Sequence, residues 1–499
     1  MQGDVLSVRN GACFEIKQIP VLKEELFRQT IINGCSHGAR LINLFGLLQD
    51  NREAQIFAIL GHDEEGQIMV FSMKVFSLKA SFQSLTPELP QAHMFEREIA
   101  EQLGITPEGH PWLKPVRHGI KQEYPFYKVQ GDEVHEVAVG PVHAGIIEPG
   151  HFRFQCHGEE VLNLEIQLGF QHRGIEKMME EVSLERASLL AESIAGDTVI
   201  GHASAYCHCL EALGDIEISP RAEAIRAIAL ELERLANHVG DMGALSTDIG
   251  FLPVSAYLGR LRGEFLNLSM ELCGSRFGKS LCRPGGVLFD LDQSMAEDFQ
   301  KRLLKAQKDL NEVCELFFGR SSVLSRLEET GVVTNQTAKE LGLVGPAARS
   351  SGCIMDVRTD YCFGMYRFAN IPVSVVSSGD VYARALLRWL ESQRSIEFLL
   401  EVLNQMPVSD LVIKEPVLKA NHIALALVEG WRGEIMHVVL TDSQSRILRY
   451  KIKDPSFHNW TGLSLAVKGW GLLINPYGSL DKFLLLQGLE WMESQLPLE

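Results

Sequence analysis

The segment AGDTVIGHASAY, residues 195–206, decides the fold together with three other polar segments. These are GPVHAGIIEPGHFRF at 140–154, GFQHRGIEKMME at 169–180 and KIKDPSFHNW at 451–460. The four segments lie far apart along the chain, and each contains histidines or carboxylates. If the fold buries these groups together, their pKa values are shifted and they can transfer protons.

The composition is that of a globular protein. With 46% apolar and 22% charged residues, the 499-residue chain is not largely disordered and suits two or three domains. Its net charge of −17 argues against non-specific nucleic-acid binding. The ten cysteines are scattered and form no C-x-x-C pair. No signal peptide and no apolar run of about 18 residues is visible, so we expect a cytoplasmic, reduced protein.

Hydrophobic periodicity predicts an α+β fold with a small N-terminal α/β domain at residues 1–120. In this domain Gln55–Leu60 and Gln67–Val75 are predicted to form a hairpin around HDEEG. Phe95–Leu103 is predicted to form a helix that ends at Gly104. The polar residues 121–135, which contain Pro and Gly, are predicted to be a linker.

Residues 136–499 are predicted to form a helix-rich domain with a C-terminal β-meander. Apolar residues spaced by three and four predict helices over 225–239, 299–317 and 381–403, the first ending near Gly240. A period of two predicts strands at 422–428, 434–440 and 446–453.

Two apparent motifs do not predict a site. GSRFGKS at 274–280 is one residue shorter than a phosphate-binding loop and follows a helical pattern rather than a strand. Cys207 and Cys209 point about 200° apart on a helix, so one metal ion cannot easily bind both.

The four opening segments resemble the large subunit of group 4 nickel–iron hydrogenases and the 49-kDa-type subunit of respiratory complex I. FEREIAEQLGITPEGHPWLKP at 95–115 makes residues 1–120 resemble the 30-kDa-type subunit of complex I, fused in front. Further matches are ELERLANHVGDMGALSTDIGF at 231–251, RPGGV at 283–287, the stretch from Arg358 through Gly379-Asp380 to Arg384, and EGWRGE at 429–434.

The resemblance also reveals what the chain lacks. Hydrogenases of this family hold nickel and iron with four thiolates from two C-x-x-C pairs. The matching positions here are Ala195, Thr198, Ser456 and Asn459. Because soft thiolates bind and bridge these metals, we expect the chain to hold no metal of its own.

The quinone contacts of the complex I subunit are also missing. His143 matches the first histidine of that family's motif, but the second falls on Ile147. The position of the quinone-facing tyrosine is Gly196. A quinone remains possible as a ligand through different contacts.

The resemblance implies a polar shell around the lost metal site. Glu176 matches a proton gate of the hydrogenases, and with Asp197 and His202 it forms a candidate proton relay. His172, Arg173, Asp248 and Asp454 match further polar positions. Buried Arg–Glu and His pairs also stabilise helix crossings, so these residues have a structural alternative.

Some residues have a simpler interpretation. Core or capping roles are favoured for His143, His151 and His238, and Ser456 is expected to cap a helix or turn. The fold should bring the 195–198 and 456–459 segments within about 12 Å, the span of a binuclear site with its ligands. A polar space left there should hold water that links Glu176 and Asp197 to His202 or Arg173.

The resemblance implies a subunit of a membrane-associated oxidoreductase complex, peripheral on the cytoplasmic face of the inner membrane. The expected partners are a small subunit with a [4Fe–4S] cluster, a ferredoxin-like subunit and membrane ion-translocating subunits. This chain would line a redox and proton-coupling pocket. Three alternatives remain: a quinone-binding subunit of an NADH dehydrogenase-like complex, a hydrogenase or formate hydrogenlyase-type subunit that uses other cysteines, and a non-catalytic scaffold.

We predict that limited proteolysis of the native chain cuts first within residues 121–135. Exposed polar segments between folded units are cleaved before helices. Mass spectrometry of the earliest fragments measures this. A first cut within 95–103 or 221–239 would contradict the predicted boundary.

Overall fold

The computed structural model describes residues 5–50, 53–76, 81–117, 124–142, 149–158, 160–411 and 413–468. The chain is α+β, as predicted, with a strand-rich N-terminal part, a helical body and a C-terminal antiparallel sheet. Among the described helices, none combines the length and the apolar character needed to cross a lipid bilayer.

The N-terminal part is a twisted sheet covered by two helices. Its main sheet has the order β1-β6-β5-β4, with β3 added parallel to β6, and β7 pairs with β8. In chain order its elements are β1 (Leu6–Val8), β2 (Cys13–Glu15), β3 (Val21–Leu22), α1 (Glu24–Ser36), β4 (Arg40–Asp50), β5 (Glu53–His62), β6 (Gln67–Phe76), β7 (Ser81–Gln83), α2 (His93–Leu103) and β8 (Thr106–Glu108).

The predicted hairpin and helix are confirmed in this part. Strands β5 and β6 pair antiparallel, with His62 opposite Gln67 across the HDEEG turn. Helix α2 begins two residues before the prediction and ends at Gly104, whose φ of 69° closes the helix in the left-handed conformation.

A three-stranded sheet follows the predicted linker. It contains β9 (Val134–Val139), β10 (His151–His157) and β11 (Glu160–Gln167) in the order β11-β10-β9. The last two predicted linker residues already belong to β9. The segment before them lies against this sheet, because the backbone N–H of Tyr127 donates to Glu165 and that of Val129 to Gln155. The boundaries at 120 and 135 stay a prediction.

The helical body packs around α6. Its elements are α3 (Ile175–Glu181), α4 (Leu184–Ala191), α5 (Val199–Gly214), α6 (Pro220–Asp248), α7 (Leu252–Cys273), β12 (Cys282–Arg283), β13 (Gly286–Val287), α8 (Gln293–Phe318), α9 (Ser321–Leu327), α10 (Asn335–Leu341), α11 (Gly345–Arg349), α12 (Val357–Asp360) and α13 (Val381–Asn404). The predicted helices over 299–317 and 381–403 are confirmed as parts of α8 and α13.

The predicted end of α6 near Gly240 is wrong, because the helix continues to Asp248. A Cβ at Gly240 would lie 2.9 Å from the Arg262 side chain of α7. Glycine therefore leaves space here for the side chain of Arg262, and the helix continues through it despite the cost of about 1 kcal/mol that glycine has inside a helix.

The C-terminal meander is confirmed and acquires a fourth strand. Its strands are β14 (His422–Gly430), β15 (Gly433–Thr441) and β16 (Ile447–Lys453), and α14 (Ser456–Val467) follows. Strand β2 of the N-terminal part pairs with β14, with Phe14 opposite Ile423. The side chain of Asn10 also bonds both backbone groups of Leu427. The two predicted domains therefore share one sheet.

A buried charge network ties the helices to this sheet. The fully buried Arg349 donates to Glu391 of α13 and to Glu429 of β14, both at 2.8 Å. Next to it, Arg358 of α12 contacts Glu231 of α6 at 3.2 Å. Buried charges are tolerated only when paired and hydrogen-bonded, so this network fixes how α6, α11 and α13 meet β14.

We predict that Arg349→Ala lowers the free energy of unfolding by about 3–5 kcal/mol, because it leaves two buried carboxylates without their cation. The matched control is Arg394→Ala on α13, which removes an exposed ion pair with Glu397. That control should cost no more than about 1 kcal/mol. Urea titration followed by circular dichroism measures both, and equal losses would contradict the prediction.

Candidate functional site

The centre of the candidate site is an ion pair between Asp197 and Arg432. Both terminal nitrogens of Arg432 donate to the two oxygens of Asp197, each at 2.8 Å. The side chains are 6% and 2% exposed, so the pair is almost completely removed from water. Burial tends to lower the pKa of Arg432, but Asp197 more than compensates and raises it above its ordinary value. The guanidinium therefore remains charged.

A tight turn places Arg432 at this position. Trp431 and Arg432 are the two residues between β14 and β15, and the guanidinium carbon lies 3.8 Å from the centre of the Trp431 ring. The start of α11 packs directly on the turn. A Cβ at Gly345 would collide with the carbonyl oxygen of Arg432, and the φ of Gly345 is 62°. Glycine meets both requirements at once.

Asp197 is held from the helical side. The side chain of Asn237 on α6 donates to the carbonyl oxygen of Asp197 at 2.9 Å. The hydroxyl of Thr198 donates to the Asp197 carboxylate at 3.0 Å and accepts from the indole N–H of Trp431 at 3.0 Å. The entry into α5 and the β14–β15 turn are thus locked together.

The structure brings the segments 195–206 and 451–460, which contain the four replaced cysteine positions, into contact with each other. Nε2 of His202 lies 3.0 Å from Oδ2 of Asp454, which joins the start of α5 to the start of α14. The expected separation of about 12 Å between the four Cβ atoms stays a prediction. The expected water between Glu176 and Asp197 also stays a prediction.

The side chains at the four positions do not fit a nickel–iron centre. Ala195 offers a methyl group, and the hydroxyl of Thr198 is already bonded to Trp431 and Asp197. The amide of Asn459 is bonded to both backbone groups of Val344. The Ser456 hydroxyl is buried and has no partner among the described residues. None of these is a soft thiolate, and the nearby guanidinium opposes a second cation.

Within the described part of the chain, no three His, Cys, Asp or Glu residues are arranged to hold a metal ion.

Glu176 lies in a separate ion cluster rather than beside Asp197. Its carboxylate accepts from Lys451 at 3.0 Å, from Arg449 at 3.1 Å and from the backbone of Ile452 at 3.0 Å. Lys451 also contacts Glu98 of α2. Burial tends to raise the pKa of Glu176, but Lys451 and Arg449 outweigh it and hold this pKa well below its ordinary value. These contacts of Glu176 include neither Asp197 nor His202, and the predicted relay of the three residues through water stays a prediction.

A second carboxyl beside Asp197 was not predicted. Glu233 of α6 accepts from the backbone N–H groups of Ile200 at 2.7 Å and Gly201 at 3.2 Å, at the start of α5. Glu233 and Asp197 line the same narrow cleft against α7. Burial chiefly, with a contribution from Asp197, raises the pKa of Glu233 to about 8.

The remaining predicted site residues are spread over the body. His172 and Arg173 are exposed, and Arg173 donates to the carbonyl of Ser193 at 2.7 Å, just before the 195–198 segment. Asp248 ends α6, about 16 Å along the helix axis from Asn237, so it lies away from the ion pair. Its burial raises its pKa to about 7.

The structure describes three of the residues for which a core or capping role was predicted. His238 lies in the core and contacts Glu391 at 2.8 Å, and His151 contacts the carbonyl of Gly140. The predicted capping role of Ser456 is wrong, because the Ser456 hydroxyl forms no capping hydrogen bond at the start of α14. Instead, the carboxylate of Asp454 accepts from the backbone N–H of Ser456 at 2.9 Å. His143 and Ile147 lie outside the described residues.

Sequence reasoning missed the residue that organises the site. Arg432 lies in EGWRGE, which was matched to the family, but no role was assigned to it. The single arginine between two predicted strands could have indicated Arg432 as a site residue. Glu233 lies within the regular helical pattern of α6, which gives no separate indication of a role.

Comparison with known proteins identifies the relatives of this fold and site. Residues 248–422 match the family model of the respiratory-chain NADH dehydrogenase 49-kDa subunit, and residues 36–128 match that of the 30-kDa subunit. The carbon monoxide-induced hydrogenase of Rhodospirillum rubrum is 30% identical over 335 residues, 67% of this chain and 92% of that protein.

Two further relatives represent both branches of the resemblance. An NADH-quinone oxidoreductase subunit of Bacillus mycoides is 30% identical over 350 residues, 69% of this chain and 95% of that protein. Hydrogenase-4 component G of Escherichia coli is 27% identical over 430 residues, 80% of this chain and 74% of that protein. The chain therefore belongs to the family formed by group 4 hydrogenase large subunits and the 49-kDa-type subunit of complex I, with a 30-kDa-type domain fused in front.

Proposed function

We propose that this chain is the large subunit of a complex I-like, membrane-associated oxidoreductase complex in which an internal ion pair has replaced the nickel–iron site. The observation that carries the proposal is the bidentate contact of Arg432 with Asp197. It lies beside two of the four positions where hydrogenases of the family carry cysteine.

The charge of this pair supports the proposal. A binuclear metal site needs four anionic thiolates to balance its cations, and this site offers none. Asp197 supplies one negative charge, and Arg432 already neutralises it. Burial keeps the two ions together, because separating them in a low-dielectric interior costs more than in water.

In this proposal the ion pair of Asp197 and Arg432 responds to an electron on a neighbouring redox centre. In the proposed complex, a partner small subunit carries a [4Fe–4S] cluster next to the pocket, and ferredoxin-like and membrane ion-translocating subunits complete the assembly. An electron that reaches the partner cluster changes the electrostatic potential at Asp197 and Arg432. A buried pair with no solvent screening transmits this change to the turn and to α5.

The proposed place of the complex is the cytoplasmic face of a membrane. Relatives with names such as the membrane-bound hydrogenase subunit alpha of Pyrococcus furiosus support membrane association. In this proposal the chain contributes the pocket that couples the redox change to ion movement in the membrane partners.

We predict that the purified protein contains far less than one nickel per chain. Elemental analysis of the isolated chain and of the intact complex measures this, with a nickel-containing hydrogenase of the same family, prepared identically, as the control. Stoichiometric nickel in this protein would overturn the proposal.

We predict that Asp197→Asn lowers the free energy of unfolding by about 3–5 kcal/mol, because it leaves Arg432 charged and buried without a partner. The double variant Asp197→Asn/Arg432→Gln removes both charges and should recover most of this loss.

The same double variant distinguishes a functional role of the ion pair from the alternative that the chain is a non-catalytic scaffold. If the pair couples electron transfer to ion movement, the double variant assembles into the complex but loses coupled ion transport in membrane vesicles. Wild-type transport by the assembled double variant would contradict the proposal and favour the scaffold.

A further inference from the structure

The loop GSRFGKS at 274–280, which is too short to be a phosphate-binding loop, carries three exposed side chains in four residues. Arg276, Phe277 and Lys279 are all exposed to solvent, Phe277 by 38%. The guanidinium carbon of Arg276 lies 6.0 Å from the centre of the Phe277 ring. The loop therefore presents two cations and, between them in the sequence, one aromatic ring.

The backbone holds this loop against α5 and the segment before it. The φ of Gly278 is 76°, and a Cβ at this position would collide with the side chain of Ile200 on α5. The backbone N–H of Ser280 donates to the carboxylate of Glu192 at 2.8 Å, and that of Gly278 donates to the carbonyl of Ser275 at 3.1 Å. A loop that is fixed before binding loses little conformational entropy when a partner covers it.

The two cations of the loop have no counter-ion within the described part of the chain. Neither Arg276 nor Lys279 forms an ion pair there, and Glu192, which contacts the loop backbone, is already paired with Arg283. The chain as a whole has a net charge of −17. The loop is therefore a local positive patch on an acidic protein, and such a patch attracts carboxylates.

The loop also borders the candidate site. Arg276 and Phe277 line the same narrow cleft as Asp197 and Glu233. Because the two loop residues are exposed and Asp197 is buried, the loop forms the outer end of this cleft. The exposed Met270 lies on α7 just before the loop. Arg, Phe and Met are residue types enriched at protein interfaces, so a protein that covers this surface also covers the cleft.

We propose that the loop at 274–280 is the docking site for an acidic surface of the partner subunit that carries the redox centre. Carboxylates of that subunit bind Arg276 and Lys279, and one of its apolar side chains packs on Phe277. The inference rests on the proposed function, in which the redox centre lies beside the pocket. It adds the residues through which the partner binds.

A lipid surface fits the loop less well than a protein does. Recognition of anionic lipid uses clusters of about four to eight cations, whereas the loop offers two. The net charge of −17 also opposes approach to an anionic membrane. The acidic protein surface is therefore the occupant that the charges favour.

The first test identifies the occupant in the intact complex. The photo-reactive amino acid benzoylphenylalanine replaces Phe277, and mass spectrometry identifies the peptide that it cross-links. We expect a peptide rich in Asp and Glu from the subunit whose cysteines bind an iron–sulfur cluster. The matched control is Leu304 on α8, which is 55% exposed, is flanked by the exposed Lys301 and Lys305 and does not line the cleft.

The cross-links decide between the possible occupants. The same amino acid at position 304 should give no cross-link to the iron–sulfur subunit. The docking site would be overturned by the absence of a cross-link from position 277, by equal cross-links from both positions, or by a cross-link from 277 to lipid or to a subunit without a redox centre.

The second test measures the role of charge. Arg276→Glu/Lys279→Glu places carboxylates against those of the partner, so the affinity of the full-length chain for the cross-linked subunit should fall at least about tenfold. Wild-type affinity should fall as salt is raised, because exposed ion pairs are screened. The control Lys301→Glu/Lys305→Glu makes the same change in charge on α8 and should keep the wild-type affinity. Isothermal titration calorimetry at several salt concentrations measures all three proteins.

A third variant separates specific docking from general attraction. Phe277→Ala leaves the charge unchanged, so it should weaken binding and keep the salt dependence. Thermal unfolding of each variant should stay at the wild-type midpoint, because the substitutions lie on the surface. Wild-type affinity in Arg276→Glu/Lys279→Glu, or an equal loss in the α8 control, would overturn the docking site. Neither result changes the nickel content or the Asp197–Arg432 double variant, so failure of the docking site is distinguishable from failure of the proposed function.

Discussion

The contact of Arg432 with Asp197 is the interaction on which the candidate site depends. A guanidinium removed from water requires a hydrogen-bonded carboxylate, and Asp197 provides both of its oxygens. This requirement holds the β14–β15 turn against the entry into α5. Thr198 and Trp431 add one further hydrogen bond across the same junction. In this chain a buried salt bridge therefore joins the β14–β15 turn to the entry into α5.

The rest of the architecture supports that junction from both sides. The N-terminal part contributes β2 to the C-terminal sheet, and its Glu98 shares Lys451 with Glu176. On the helical side, Arg349 anchors Glu429 at the end of β14, three residues before Arg432. The junction is therefore held between paired, buried charges on both sides.

Periodicity and family motifs predicted much of the fold and the neighbourhood of the site. The meander, the β5–β6 hairpin and helices α2, α8 and α13 follow from apolar spacing that their packing does not override. The end of α6 could not be predicted, because Gly240 makes room for the Arg262 side chain of α7 rather than ending the helix. The partners of Glu176 could not be predicted either, since Lys451 and Arg449 lie more than 270 residues away and only the tertiary fold brings them together.

We propose that the Asp197–Arg432 ion pair lies beside the positions where hydrogenases of the family hold two metals. Anomalous X-ray scattering at the nickel and iron absorption edges, from crystals of the intact complex, distinguishes an ion pair from a metal centre. We expect no anomalous peak among Ala195, Thr198, Ser456 and Asn459, and continuous electron density that joins the Arg432 guanidinium to the Asp197 carboxylate. A nickel or iron peak among these four residues, with Arg432 displaced from Asp197, would contradict it.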